Sequence, residues 1–476
     1  MIDPRVASGL RDLPPSLAIP RERLTTVFRG VFARAGFVPI ETPHIERLEV
    51  LTGKGAGSEE VLRQIFDVTN KGGKPGELAL RFDLTVPLAR FIAKHVDTVG
   101  VPFKRYAIGS VFRGERPAKG RFREFTQCDV DIVGVDGPLA DAEAVLAIHD
   151  ALKAAGIPPF RIKLNHRAIL DGLLETLGAS ERLPAVLRSL DKLDKIGRDK
   201  VIEELTGVRR RPEGQGESDA AAPCSPPEET ECEPVLTPEQ AARVLNFAEK
   251  GRGGLEILDL AKIDPEAAAH PKAIAGVERL RQVVELAQAG GADPERIGVD
   301  LGLARGLDYY TGIILETVVL GWERFGSVAS GGRYDNLAGL FTSRRLPGVG
   351  ASIGLDRLLA LLEEAGTLET RGTIAPVLVT WFPGVPGAVP LGLAARLRAV
   401  GVGAEVYPEP IAVGKQMGYG SQRGHRLGLI VGPDEVAARV FNLRDLARRD
   451  ELKAIPWDRL ESTIQHRLNP SEGAPA

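Results

Sequence analysis

Cysteine, methionine and aromatic side chains are scarce in this sequence, and long apolar runs are missing altogether. Of 476 residues three are cysteine and two methionine, and Phe, Trp and Tyr together make 5%. Three cysteines (Cys128, Cys224 and Cys232) cannot build a disulfide framework. None lies in a C-x-x-C pair, so no structural metal is expected. No stretch approaches the roughly 18 consecutive apolar residues of a membrane span. The opening residues, Met1 to Pro15, hold no apolar segment of the kind a secretory signal carries. Neither sign of charge is in excess: 61 Lys/Arg stand against 64 Asp/Glu, a formal net of -3. That balance excludes a polybasic arm or an acidic tail, and 43% hydrophobic residues exclude a chain too polar to fold. What remains is a cytoplasmic globular protein away from membranes, long enough for about three domains.

One segment breaks the globular composition. From Val208 to Glu233 the chain runs through Arg209, Arg210, Arg211 and Pro212 into Gly, Gln, Ser, Ala, Pro and acidic residues, with almost no large apolar side chain. Such a stretch cannot bury enough surface to offset its ordering entropy, so it reads as a disordered loop. Order is expected to resume at Thr237-Pro238-Glu239-Gln240, with Thr at the N-cap, Pro in the first turn and Gln at N3. Around the loop, apolar residues recur at three- and four-residue spacing over 167–177, 184–196 and 278–286, which predicts helices. Residues 181–295, with the loop at 208–236, therefore form a helical insertion between 1–180 and 296–366, the two parts of a mixed α/β core. A further boundary falls near Gly366 to Ala375. Residues 372–476 then alternate an apolar run (376–382), a helical pattern (391–400) and two more short runs (403–407, 427–431), predicting a parallel βαβ unit. Residues 371–476 hold 13 Lys/Arg and 10 Asp/Glu, a net +3, which leaves -6 for the rest. A basic domain on an acidic body points mildly to a polyanionic partner.

The polar residues that matter lie within strand patterns. Lys104 to Arg113 and Phe122 to Ile132 read as an antiparallel hairpin around a turn-rich loop holding Pro117 and Gly120. At a period of two, one face of the second strand carries Phe122, Glu124, Thr126, Cys128, Val130 and Ile132, mainly core-compatible. The other carries Arg121, Arg123, Phe125, Gln127, Asp129 and Asp131. Such a face is either solvated or, joined by Arg113 and Glu115, the wall of a nucleotide pocket, where guanidinium groups bind phosphate and an aromatic ring stacks on a base. Upstream, Leu80 to Pro87 places Asp83 and Thr85 on one side of a short strand as acceptors for an ammonium group, or else as a cap for the helix that follows. Downstream, Arg357 sits in the first turn of a helix striped by Leu355, Leu358, Leu359 and Leu362. A cation there opposes the helix dipole, and a bound phosphate would remove the conflict.

In this order these pieces resemble the signature motifs of class II aminoacyl-tRNA synthetases. The first would be Gly36 to Pro43, which ends in the family's proline at a dimer interface. The second would be Phe112-Arg113-Gly114-Glu115 with Arg121 to Phe125, and the third Gly354-Leu355-Asp356-Arg357. Leu303 to Gly312, including Arg305-Gly306-Leu307-Asp308-Tyr309-Tyr310, and Ser330 to Leu337 narrow the resemblance to the histidyl-tRNA synthetase family. Gln127 to Asp131 and Arg81 to Thr85 agree with it. The resemblance implies an α+β fold, with an antiparallel sheet flanked by helices, a helical insertion and a C-terminal α/β anticodon-binding domain. It implies activation of L-histidine by ATP with Mg²⁺, transfer to tRNA-His, and a homodimer. It implies that Arg113 binds the ATP α-phosphate and the histidine carboxylate, Glu115 reads the adenine amino group and Phe125 stacks on the ring. Arg121 and Arg357 would hold the outer phosphates. Asp83, Thr85 and Gln127 would hold the α-amino group; Asp131 and Tyr310 would recognise the imidazole, with Tyr309 and Tyr334 lining its pocket. Arg305 would act as the electrophile at the α-phosphate.

Two positions depart from the family pattern: Asp83 and Asp131 stand where many bacterial members have Glu, which shortens the carboxylate reach. The 208–236 loop has no counterpart and is expected to be dispensable for catalysis. In the C-terminal domain, Arg423, His425 and Arg426 are candidate RNA contacts, with ordinary surface charge as the alternative; His166 reads as a packing residue. The competing reading of the whole chain is a non-catalytic relative, either an ATP phosphoribosyltransferase regulatory subunit or a sensor of uncharged tRNA. The presence of Arg113, Arg121, Arg305 and Arg357 together with the terminal domain weighs against the first of these.

Overall fold

In a computed structural model of the chain the described residues are 2–53, 63–69, 72, 76–207, 234–304, 310–448 and 450–469. The loop at 208–233, with Cys224 and Cys232, lies outside them, as do Arg305 and Tyr309. The chain divides into two compact units, residues 1–11 with 24–366, and residues 12–23 with 367–476.

In the first unit the strands, in chain order, are β1 (Val38–Pro39), β2 (Ile45–Arg47), β3 (Asp67–Val68), β4 (Leu78–Leu80), β5 (Phe103–Phe112) and β6 (Glu124–Val133). They continue with β7 (Phe160–His166), β8 (Arg252–Gly253), β9 (Ile297–Asp300), β10 (Ile313–Val319), β11 (Ala329–Tyr334) and β12 (Gly348–Gly354). Nine of them form one sheet in the order β1-β5-β6-β12-β11-β10-β7-β9-β8, while β2, β4 and β3 form a small separate sheet. From β5 through to β7 every neighbouring pair is antiparallel. The β5–β6 hairpin pairs Phe103 with Val133 at one end and Phe112 with Glu124 at the other. Its aromatic and β-branched residues suit a pleated surface with one face in the core.

Cys128, Val130 and Ile132 turn one face of β6 into the core, each 2% exposed or less. Helices Pro138–Ala154 and Leu355–Glu364 pack on this strand, and helix Arg167–Thr176 packs on β7. Helix Pro15–Arg34 adds Leu24, Phe28, Val31 and Phe32, all buried, at a spacing that places them on one stripe. The expected helix over 184–196 is broken into Leu183–Leu190 and Leu193–Ile196, and 278–286 falls within the longer helix Pro271–Ala289. Helix Pro238–Lys250 starts in a capping box: Thr237 Oγ1 accepts from Gln240 N at 3.2 Å and Gln240 Oε1 accepts from Thr237 N at 2.9 Å.

The second unit has a sheet of β13 (Val377–Val379), β14 (Ala404–Val406), β15 (Leu427–Ile430), β16 (Val440–Asp445) and β17 (Glu451–Pro456), ordered β14-β13-β15-β16-β17. The first three strands are parallel, as the alternation of runs predicts, and helices Ala388–Ala399 and Leu460–Leu468 bring Leu393, Leu397, Leu460 and Ile464 to the same core. The β16–β17 hairpin escapes the sequence reading because β17 is an exposed edge carrying Lys453 and no buried residue. His425 is corrected here. It is 3% exposed, with Nε2 2.9 Å from Glu405 Oε2 and Nδ1 3.3 Å from the Gly420 carbonyl, so it ties helix Val413–Arg423 to β14 and offers nothing to RNA. Arg426 donates to the Leu468 carbonyl at 2.6 Å, while Arg423 lies over the Tyr419 ring at 5.4 Å.

A buried ion network joins the first unit's sheet to its helices. Asp141 Oδ1 accepts from Arg333 Nε (2.9 Å) and Nη2 (2.6 Å), and its Oδ2 accepts from Arg279 Nε at 2.8 Å. Removing the carboxylate would take from the buried Arg333 guanidinium its two shortest bonds and from the part-buried Arg279 its closest partner. Asp141→Ala is therefore expected to lower the unfolding free energy by about 3 kcal/mol. Urea denaturation monitored by far-UV circular dichroism measures this, and a loss below about 0.5 kcal/mol, the size of an ordinary surface change, would contradict it.

Candidate active site

Helices cover one face of the sheet; the other carries a cavity of about 160 Å³. Asp83, Thr85, Arg113, Gln127, Asp131, Tyr310 and Tyr334 line it, together with Asp129, Ser330, Gly331, Gly350 and Ser352. The polar face of β6 is thus a cavity wall and not a solvated stripe: Asp129 and Asp131 are each 2% exposed. Gln127, Asp129 and Asp131 follow one another at two-residue steps, about 6.7 Å each, so the row spans roughly 13 Å.

The floor beneath this row is made of small residues. Across the sheet Asp131 faces Gly350, Asp129 faces Ser352 and Gln127 faces Gly354. A Cβ at Gly350 would collide with the Asp131 carboxylate, and one at Gly348 would collide with the Tyr334 ring. Glycine at these two positions is what lets the acidic and aromatic side chains lie across β12. On the other side of β6, Arg105 pairs with Asp131 in the strand register, and its Nη2 lies 2.7 Å from Asp131 Oδ2. Arg105 is fully buried and also donates to the Leu84 carbonyl at 3.1 Å. Tyr334 donates its hydroxyl hydrogen to Asp131 Oδ1. Burial raises Asp131 to about 7, against the lowering influence of Arg105 and Tyr334. The same burial, with Asp131 alongside, pushes the Tyr334 phenol well up, so it stays a donor.

Asp83 does not lie in a strand. β4 ends at Leu80, and Asp83 occupies the turn into helix Thr85–Val99, where its Oδ1 accepts from Val86 N at 3.0 Å. The capping and cavity readings both hold: one oxygen bonds the helix, while Oδ2 has no hydrogen-bond partner among the described residues. Burial raises Asp83 to about 6; the Val86 bond and Arg113 lower it less. Arg81, just before it, donates Nε to the Ser110 carbonyl (2.9 Å) and Nη1 to the Thr42 carbonyl (2.7 Å), fastening the segment 36–43 to β5.

Arg113 stands beyond the end of β5. Its Nε donates to the Phe82 carbonyl at 3.0 Å, its guanidinium carbon is 5.2 Å from the Phe125 ring centroid, and Nη1 is 4.0 Å from Glu115. Arg121 Nη1 lies 3.6 Å from Glu115 Oε2. Arg357, in the first turn of helix Leu355–Glu364, donates to the Ser327 carbonyl at 2.5 Å. The neighbouring Asp356 accepts from Thr126 N and from Arg11 Nη2, both at 2.6 Å, which ties that helix to β6. Arg123, which alternation groups with the polar face, donates to the Ser8 carbonyl and holds the N-terminal segment. Seven of the predicted residues therefore meet in one cavity, Glu115, Arg121 and Phe125 follow on from Arg113, and Arg357 is held apart from them at the Ser327 carbonyl. Among the missed residues are Asp129, Ser330, Ser352 and the supporting Arg105; the alternation in 121–131 already carried the signal for Asp129. His166 caps helix Arg167–Thr176 through Nδ1, and burial near Arg279 and Arg333 lowers it to about 4, in keeping with a packing role. Among the described residues no group of three or more His, Cys, Asp or Glu could hold a metal ion. No helix among them is long and apolar enough to cross a membrane.

An antiparallel sheet backed by helices, with Arg113 and a row of buried acceptors lining a cavity on its open face, defines a catalytic unit of the class II aminoacyl-tRNA synthetase type. The profile of the histidyl-tRNA synthetase family matches residues 9–358, and that of an anticodon binding domain matches residues 389–467. The chain belongs to the histidyl-tRNA synthetase family. It is 46% identical over 450 residues to the histidine–tRNA ligase of Rhodopirellula baltica, covering 94% of this chain and 95% of the relative. It is 40% identical to that of Wolinella succinogenes, covering 96% of each. The crystal structure of the histidyl-tRNA synthetase from Nostoc sp. PCC 7120 superposes with a TM-score of 0.83 at 33% identity, covering 98% of this chain and 100% of that one.

The raised Asp83 carboxyl links stability to pH. Its pKa of about 6 lies above the ordinary 3.8, so the folded protein holds this proton more tightly than the unfolded chain does. As pH rises from about 4 to 6 the unfolded chain ionises first and stability drains away. Asp83→Asn, which keeps the acceptor for Val86 N, is expected to be the more stable protein above pH 6 by at most ~3 kcal/mol. Thermal melts of both proteins without ligand, from pH 4 to 8, should show a gap that opens up to pH 6 and then stays level; a gap independent of pH would contradict the assignment.

Proposed function

We propose that this chain ligates L-histidine to tRNA-His in two steps, through a histidyl-adenylate, and that the residues around the cavity divide the work by charge. The observation that carries the proposal is the cavity wall: Gln127 on β6 and Asp83 in the turn before helix Thr85–Val99 offer acceptors that suit an α-ammonium group, and Asp131 on β6 with Tyr334 on β11 suits an imidazole. Histidine needs partners for two ring nitrogens. A buried carboxylate and phenols supply them, and leaving them unpaired rejects a ligand of similar size that lacks the nitrogens. Tyr310 lines the same cavity, and Tyr309 precedes it in the chain.

ATP, entering as its Mg²⁺ complex, is placed on the surface leading from Arg113, with adenine against Phe125 and Glu115 and the outer phosphates near Arg121 and Arg357. A carboxylate oxygen of histidine attacks the α-phosphorus, the bond to the bridging oxygen breaks, and pyrophosphate leaves. Charge gathers on the α-phosphoryl oxygens, so a guanidinium held in place by the Phe82 carbonyl lowers the barrier without moving. Arg305 takes the opposite side of that phosphoryl group. A terminal ribose hydroxyl of the tRNA then attacks the activated carbonyl and AMP departs, so no protein nucleophile is required. The second unit takes the anticodon end of the tRNA. A homodimer through the segment 36–43 is supported by Val38, 48% exposed on the edge strand β1, and the place of action is the cytoplasm.

Histidine-dependent exchange of pyrophosphate into ATP tests this reading. The wild type is expected to exchange only with histidine present, and Arg305→Ala to lose about 100-fold in exchange rate while its histidine KM stays within a few-fold. Exchange near the wild-type rate would remove Arg305 from the chemistry. A wild type that binds tRNA-His without any exchange would place the chain with the non-catalytic relatives.

A further inference from the structure

The cavity has more acceptors than the motifs account for. Four buried oxygens on its lining residues lack a hydrogen-bond partner among the described residues; Asp131 Oδ2 is ion-paired with Arg105 at 2.7 Å, which leaves Asp83 Oδ2, Gln127 Oε1 and Asp129 Oδ1 bare. Gln127 is oriented by its amide nitrogen, which donates to Ser352 Oγ at 2.8 Å and leaves Oε1 bare. Ser352 in turn bonds the Asp129 carboxylate, so Gln127, Ser352 and Asp129 form one chain of polar contacts along the wall. Buried acceptors are normally satisfied, and three left bare around one space mark where a donor belongs. An ammonium group has three donor hydrogens and no acceptor, which matches the set.

Charge favours the same ligand group. Arg81, Arg105 and Arg113 face the Asp129 carboxylate, and Asp83 and Asp131 share its surroundings. Three guanidinium groups thus stand against three carboxylates around the cavity. Once the anionic groups of the substrates take up the charge of Arg113 where it stands, the two remaining guanidinium groups are left with three carboxylates, and one bound cation restores the balance. A carboxylate present only as a counter-charge for Arg105 would not need a bare oxygen lining the cavity.

We propose that Asp129 is the third acceptor for the substrate's α-ammonium group, beside Asp83 and Gln127, and that it restricts the pocket to amino acids whose amino group is free and protonated. The inference rests on histidine being the substrate. Position 129 lies between Gln127 and Asp131 on the strand, so an ammonium group held there leaves the Asp131 and Tyr334 end of the row for the ring.

Calorimetric titration of the full-length protein with L-histidine and with 3-(imidazol-4-yl)propionate tests this, since the second ligand keeps ring, chain and carboxylate and lacks only the amino group. Asp129→Asn is expected to weaken histidine binding about 30-fold while leaving the des-amino ligand within about two-fold. Unchanged histidine affinity would overturn the assignment, and so would an equal loss for both ligands, which a merely structural role predicts. Should Asp129→Asn not fold, Asp129→Glu keeps the counter-charge for Arg105 and is read the same way: a fall in the histidine-to-analogue ratio supports the assignment, an unaltered ratio overturns it. Pyrophosphate exchange by the wild type scores the ligase reading separately. A protein that binds histidine without exchange would lose that reading and leave the binding comparison standing.

Discussion

The contact on which the site depends is the ion pair between Arg105 and Asp131, closed on its other side by the Tyr334 hydroxyl. A lone carboxylate at this depth would keep its proton, and a lone guanidinium could not be buried at all. Set opposite each other on adjacent antiparallel strands, they hold a carboxylate in one orientation without a metal or a bound ligand. The glycines of β12 complete the arrangement, because any side chain at Gly350 would occupy the space that Asp131 uses. Removing two charges from water is costly, so the site gains fixed direction for its charges at some expense in stability. The raised Asp83 and Asp131 carboxyls are the visible sign of that expense.

Around this contact the supporting bonds form a single frame. Arg81 fastens the segment 36–43 to β5, Asp356 ties helix Leu355–Glu364 to β6, and Asp141 clamps Arg333, the residue before Tyr334, to helix Pro138–Ala154. Each bond joins parts of the chain that are distant in sequence and adjacent at the cavity. Catalysis by fixed charge requires such rigidity, since donors that must reorganise during the reaction lose most of their advantage. The residues quoted as motifs thus do two jobs. Asp83, Gln127, Asp131 and Tyr310 face the cavity, whereas Arg81, Arg333 and Asp356 hold the elements that present them.

How much of this was legible in the sequence depends on whether the signal is local. The β5–β6 hairpin, the helix capped by Thr237 and the parallel strands of the second unit could be read because period and turn chemistry act over a few residues. The site could be read where motif residues carried it, and seven of those predicted meet in the cavity. For Leu80 to Pro87 the sequence leaves a short strand and a helix cap open, because an Asp two residues before a Thr looks alike in both, and the structure takes the cap. Alternation groups Arg123 with the polar face of β6, although the strand begins only at Glu124. Asp129 lay in plain view on the same face as Gln127 and Asp131, yet nothing local separates a cavity carboxylate from a solvated one. Only the small residues across the sheet and the buried arginine beside it decide that, and both come from elsewhere in the chain. His425 shows the reverse error, since a basic cluster in sequence says nothing of a carboxylate folded over it.

The most direct measurement is a crystal structure of the protein soaked with L-histidine. The account predicts that the amino acid lies along β6, its ammonium group within hydrogen-bonding distance of Asp83 and Gln127 and its ring nitrogens on Asp131 and a tyrosine hydroxyl. Histidine bound with its ring at Asp83, or bound elsewhere while this cavity stays filled with water, would contradict it.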